Sequence, residues 1–176
     1  MHINFALLNI QCLISKRTNK LNSVELQCIF DNNDLVLLTE TWSDEFSKMS
    51  VPGFQVFYLS RTGRKLTSKR NSGGIAIYVR DKLYSPNMLI KCDSDDVLWV
   101  KFDGNLFDLA YDLFLCLCYI VPYDSSREAL TEMNVLDRIS DFIIEISHMT
   151  NDCYNLLICG DFNGRTGKDP DYVIYD

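Results

Sequence analysis

Short apolar runs, each closed by a polar cluster, alternate along this chain with two stretches of helical spacing. The runs at 3–8, 34–39, 54–59, 75–79, 97–102, 113–121 and 156–159 have the length and the aliphatic and aromatic content of strands. Between the first two, Asn19 or Thr18 can cap a helix whose Leu21, Val24, Cys28 and Ile29 form an apolar stripe, ending near Asp31, Asn32 and Asn33. That strand, helix, strand order favours an α/β sandwich. Beyond Trp42 the chain turns polar through Met49, and Pro52 and Gly53 mark a turn. The consecutive strands that follow predict antiparallel pairing. Ser125 and Glu128 make a capping box, and Leu130, Met133, Leu136, Ile139, Ile143 and Ile146 recur at spacings of three and four. This predicts a longer helix with one face on a sheet, delivering the chain to the last strand.

Length and composition narrow the class. A chain of 176 residues with 47% apolar content can bury about 70% of its extended surface, which fits one domain over 1–176. No apolar run approaches the roughly 18 residues that span a bilayer, so no membrane partner is expected. The apolar opening lacks a basic flank and a small-residue cleavage site, and reads as a first strand. Seven cysteines without a Cys-x-x-Cys pair read as free, mostly buried thiols in a reducing intracellular compartment, nucleus or cytoplasm. Cys116 and Cys118 share a strand face as small core residues rather than zinc ligands.

The net charge of −7 weighs against general polyanion binding, but the charge is unevenly spread. Arg61, Arg64, Lys65, Lys69 and Arg70 lie in an acid-free stretch, and Lys16, Arg17 and Lys20 form a smaller group after the first strand. Such runs fit a solvated loop as well as a grip on phosphates.

Three strand ends carry the candidate chemistry. The run "LLIC" enters Gly160-Asp161-Phe162-Asn163, where Gly160 permits a tight bend and alternation across Phe162 points Asp161 and Asn163 the same way. The second strand ends in Thr39-Glu40-Thr41-Trp42 and the first at Asn9. In open α/β sheets, ligand sites gather beyond the carboxyl ends of strands, so the three ends are expected to converge. Glu40 can be a hard-cation ligand or a cap for the next segment. Asp161 can move protons or close an Asx-turn. Trp42 reads as packing.

Asn9 in "LNIQCL", Glu40 in "LLTETW", Tyr119 in "CYIVP" and "GDFN" at 160–163 resemble, in order, the successive motifs of the endonuclease/exonuclease/phosphatase superfamily. "NSGGIAIYV" and "GDFNGRTG" look most like the endonuclease domains of LINE-type retrotransposons. The resemblance implies a four-layer α/β/β/α sandwich of the deoxyribonuclease I-like type, incomplete here, because the family's closing Ser-Asp-His motif has no counterpart before residue 176. It implies Mg²⁺, with Mn²⁺ as a substitute, held by Glu40, Asn9 and Asp161. Catalytic roles fall to Asp161, Asn163 and Tyr119. Asn163 would hold Asp161 and touch the phosphate, and Tyr119 would bond a phosphate oxygen, although a Tyr closing an apolar strand also suits a core edge. The family carries Gly where this chain has Cys12, and its Tyr motif continues with Pro and Asn where this chain has Ile120, Val121 and Pro122.

The implied partner is DNA, its backbone met by Arg64, Lys65, Lys69, Arg70 and Arg165. The implied activity is phosphodiester hydrolysis, weakened by loss of the terminal His. A catalytically inactive nucleic-acid-binding remnant and a small-molecule phosphatase are the alternatives. An uncovered sheet edge would promote self-association.

Overall fold

Two four-stranded sheets lie face to face with a helix on each outer face, in the order α/β/β/α. The computed structural model describes residues 2–15, 17–43, 48–60, 73–86, 88, 90–94, 96–120 and 135–163. The first sheet has β1 (Phe5–Asn9), β2 (Leu35–Thr39), β3 (Phe54–Leu59) and β4 (Ile75–Arg80) in the order β1-β2-β4-β3. The second has β5 (Ile90–Ser94), β6 (Val97–Phe102), β7 (Leu113–Tyr119) and β8 (Asn155–Asp161) in sequence order. Helix α1 (Val24–Asn32) joins β1 to β2, and α2 (Val135–Thr150) precedes β8.

Each sheet carries one parallel pair at an edge: β1 with β2, and β7 with β8. The remaining pairs are antiparallel, as consecutive strands require. Between the sheets, Leu35, Leu37, Ile75 and Ile77 meet Leu98, Val100, Leu115 and Leu117 in one buried cluster. Burying such side chains contributes roughly 1.5–3 kcal/mol each, and this cluster holds the layers together.

Each helix seals the outer face of its sheet through aromatic edges. Phe30 of α1 stands edge-on to Phe54 and Tyr78, with ring centroids 5.1 and 4.9 Å away. Phe142 of α2 meets Trp99 at 4.8 Å. The α1 start differs from expectation. Asn19 caps a separate 3-10 turn at Lys20–Asn22, and Ser23 caps the helix by accepting from the Leu26 amide at 3.3 Å. The later start rotates the stripe, so Leu26 and Phe30 are buried while Val24 and Cys28 face solvent. The α1 carboxyl end is held by Arg80, which donates to the Asn33 carbonyl at 2.8 Å and stands over Phe54.

Other expectations need correction. Leu136 lies half exposed on α2, where Val135, Ile139, Phe142 and Ile146 make the buried face. Ser125, Glu128, Leu130 and Met133 fall outside the described residues. Strand β5 was not foreseen, since Lys91 and Asp93 break its apolar pattern at a sheet edge. Met49, expected in a polar stretch, is fully buried beneath Tyr78, whose hydroxyl donates to the Met49 carbonyl at 2.9 Å. All seven cysteines are free, but only Cys116 and Cys118 are buried, and Cys28, Cys92 and Cys153 are exposed. Among the described residues, no helix is long and apolar enough to cross a membrane.

Candidate active site at the strand rim

The two β-α-β units bring four parallel-strand carboxyl ends to one rim. Asn9 ends β1 and Glu40 follows β2, while Tyr119 ends β7 and Asp161 ends β8. Two hydrogen bonds join the sheets there. Asn9 Nδ2 donates to Asp161 Oδ2 at 2.6 Å, and the Tyr119 hydroxyl donates to Glu40 Oε1 at 2.7 Å. Within the sheets, Asn9 pairs in register with Thr39 and Tyr119 with Asp161. Through Thr39, which precedes Glu40 in the chain, these residues form a closed circuit of two strand contacts and two inter-sheet bonds.

Asn163 joins the circuit differently from the sequence expectation. Its backbone N–H donates to Asp161 Oδ1 at 3.1 Å, an Asx-turn that also fixes the carboxylate. Its carboxamide donates instead to the Ile120 carbonyl at 2.7 Å, and Asn163 has a φ of 43°. Simple strand alternation past Phe162 does not hold, because the backbone leaves the extended region. Ile120 returns the contact by donating its N–H to the Asp161 carbonyl at 2.8 Å.

Backbone strain concentrates at this rim. Gln11, Cys12, Glu40, Trp42 and Asn163 all have positive φ, and all five lie just past the ends of β1, β2 and β8. For L-residues other than Asn and Asp, that conformation costs roughly 1–2 kcal/mol and persists only where neighbours enforce it. Here the neighbours are visible: Cys12 N–H donates to the Glu40 carbonyl, Leu13 N–H to that of Thr41, and Trp42 N–H to that of Gly73. Gly160 is equally constrained. With a φ of 154°, a Cβ there would lie 1.9 Å from the Cys118 carbonyl oxygen.

Three contributors were missed in the sequence. Lys20, grouped there with possible phosphate contacts, turns back to donate to the Ile10 carbonyl and, at 2.9 Å, to that of Gln11. It clamps the strained turn after Asn9. Thr39 Oγ1 and Trp42 Nε1, on either side of Glu40, are buried without a hydrogen-bond partner. No sequence signal marks the Thr39 hydroxyl, since its burial depends on packing, and Trp42 was read as packing alone. Arg17 is exposed. Arg64, Lys65, Lys69, Arg70 and Arg165 lie outside the described residues.

The donor set at the rim is oxygen-rich. Glu40 keeps Oε2 beyond its bond to Tyr119, and Asn9 keeps its carboxamide oxygen while Nδ2 faces Asp161. Such oxygens suit a small hard cation, which commonly binds one or two carboxylates and completes its shell with water and phosphate. No group of three His, Cys, Asp or Glu side chains arranged for a metal occurs among the described residues. Burial, with the neighbouring Cys118, pushes the Cys159 thiol up to about 12.

No family model matches the sequence, and no curated protein matches it either. Solved structures do match the fold. The human Nocturnin catalytic domain with bound sulfate superposes with a TM-score of 0.59 at 14% identity, covering 92% of this chain and 65% of that one. The AP endonuclease LMAP from Leishmania major gives 0.61 at 14% identity, over 90% of this chain and 54% of its own. The endonuclease domain of TRAS1, a telomere-specific non-LTR retrotransposon, gives 0.53 at 16% identity, over 94% and 61%. The likeness is one of fold. The chain spans between half and two thirds of the length of these structures.

Proposed function

We propose that this chain is a metal-dependent phosphodiester hydrolase acting on DNA, of the kind found in retrotransposon endonuclease domains. The inter-sheet circuit of Asn9, Glu40, Tyr119 and Asp161 carries this reading, because it gathers carboxylates and amides from four strand ends onto one accessible rim. Hydrolysis requires an oriented nucleophile, a proton route and neutralised charge on the phosphate. Glu40 and the Asn9 carboxamide oxygen would hold Mg²⁺ or Mn²⁺, which supplies charge neutralisation when bound. Asp161, fixed on both oxygens by Asn9 and Asn163, would align water or carry the proton. Tyr119 holds Glu40 in place. The basic residues Arg64, Lys65, Lys69, Arg70 and Arg165 would meet the DNA backbone.

The chain's two histidines lie elsewhere: His2 precedes β1, at the end opposite Asn9, and His148 sits in the last turn of α2. At the rim, Asp161 is the group proposed to carry the proton. Two further features belong to the proposal. The whole chain serves as one domain in a reducing intracellular compartment, consistent with its free thiols. It also self-associates through the edge strands β1, where Phe5 and Leu7 are 53% and 40% exposed, and β8, where Leu156 is 36% exposed.

Nicking of supercoiled DNA by the purified chain with Mg²⁺ tests the reading. Cleavage that disappears with chelator and with either Glu40→Gln or Asp161→Asn is the expected result. Cleavage unaffected by both substitutions would refute the site. Salt-dependent DNA binding with no cleavage under Mg²⁺ or Mn²⁺ would replace the enzyme by a binding module.

A further inference from the structure

Thr39 closes β2 on the face that Leu35 and Leu37 turn toward the second sheet. Its register partners are Asn9 on one side and Ile75 on the other. The side chain thus lies in the floor of the rim, beside the Asn9 carboxamide and one residue before Glu40. It is 1% exposed, and its hydroxyl oxygen has no hydrogen-bond partner in the protein. A hydroxyl shut away without a bond is a cost to the fold. Val has the same shape and is also favoured in strands, and Leu37 and Ile75 beside this position on the face are apolar. The fold alone would favour Val here, so the use of the hydroxyl is to be sought at the rim.

We infer that Thr39 is a positioning residue of the site: its hydroxyl bonds a water that accompanies a divalent cation to the rim, and so steadies Asn9 and Glu40 around that cation. This rests on the metal-dependent reading above. Small hard cations keep several waters when protein-bound, and a hydroxyl can donate to one or accept from it. Being next to Asn9 and not itself a charged ligand, Thr39 acts through its neighbours. The hydroxyl is unpartnered within the protein although the backbone carbonyl of the same residue is engaged: Ile10 N–H donates to the Thr39 carbonyl at 3.0 Å.

Thermal melting of the 176-residue chain during a Mg²⁺ titration tests the inference, with Thr39→Val and Thr39→Ser as variants. Without metal, Thr39→Val should melt at or above the unsubstituted chain. With metal, it should need roughly tenfold more Mg²⁺ for the same rise in Tm, a factor equivalent to about 1.4 kcal/mol. Thr39→Ser, which keeps the hydroxyl, should restore the response. A Thr39→Val variant that fails to fold or melts lower without metal, or that answers Mg²⁺ as the unsubstituted chain does, overturns the inference. If the unsubstituted chain itself shows no Mg²⁺ response, the metal-dependent reading falls and takes this inference with it.

Discussion

The Tyr119 hydroxyl donates to Oε1 of Glu40 at 2.7 Å, tying the end of β7 in one sheet to the residue after β2 in the other. Tyr119 is buried and its ring belongs to the inter-sheet core, so the phenol projects from packed surroundings onto a carboxylate at the rim. A core-edge position and a site role coincide in one side chain. Tyr119→Phe keeps the packing and removes the bond. It should cost about 1 kcal/mol of stability, yet lower Mg²⁺-dependent nicking by about tenfold or more through a less fixed Glu40. Denaturant melts beside initial rates would check it, and unchanged rates would remove Tyr119 from the site.

Gly160 admits no side chain. An added Cβ would sit 1.9 Å from the Cys118 carbonyl oxygen in the neighbouring strand, and that backbone cannot yield without breaking the β7 and β8 pairing. Gly160→Ala is expected to destabilise by roughly 3 kcal/mol or more, with loss of both the fold and the rim. Urea unfolding monitored by circular dichroism would show this as a large drop in midpoint. A near-native midpoint would mean that β8 leaves the sheet more readily than its register implies.

Cys12 offers the opposite case. Its φ is 73°, a conformation natural to glycine and strained by roughly 1–2 kcal/mol for other residues. The resemblance to nucleases places Gly at this position, and the backbone here retains the shape that Gly would take. Cys12→Gly should therefore stabilise the chain by several tenths to about 1 kcal/mol, after allowing for the greater freedom of Gly in the unfolded chain. A raised Tm is the expected reading. A lowered one would show that the Cys12 thiol, which donates to the Ile14 carbonyl at 3.4 Å, outweighs the strain.

Asp34 predicts an acid-sensitive latch away from the rim. Burial raises the carboxyl, but the Lys82 ammonium at 2.7 Å, the Asn4 N–H and Arg80 outweigh it and hold the group below its ordinary range. A depressed folded-state value means that its stabilisation is complete above the unfolded carboxyl's value, near 3.9, and is lost as pH falls through the folded value. Between pH 5 and 2 the unsubstituted chain should lose more stability than Asp34→Asn. Parallel denaturation curves over that range would contradict the latch.

The open sides of both sheets give a prediction about association. Phe5 and Leu7 lie on the face that Leu35 and Leu37 bury, yet they are 53% and 40% exposed because β1 is an edge. Lys at both positions should reduce concentration-dependent self-association with a loss of stability under about 1 kcal/mol. Sedimentation of the two proteins over a range of concentrations decides it. Identical behaviour would locate association elsewhere.

Strands with their own apolar runs were legible in sequence, as were the polar residues closing three of them, and this is why Asn9, Glu40 and Asp161 could be named without coordinates; Tyr119, inside the run 113–121, was reached only through the family resemblance. The phase of α1 was not. It depends on whether Asn19 or Ser23 begins the helix, and both can cap, so Leu26 and Phe30 took the buried places expected of Val24 and Cys28. Strand β5 was hidden because an edge strand does not need an unbroken apolar pattern. Lys20 and Thr39 could not be read at all. A lysine that bends back to two carbonyls, or a threonine without a partner, is defined by neighbours that are close in space and remote in the chain.

The left-handed residues after β1, β2 and β8 have a thermodynamic consequence. They keep their shape only while their neighbours hold them, so partial opening should begin at these three turns, well before the sheets separate. Amide exchange at Cys12, Leu13 and Trp42 should then be the first to quicken on mild heating, and the first to slow when a ligand settles among them.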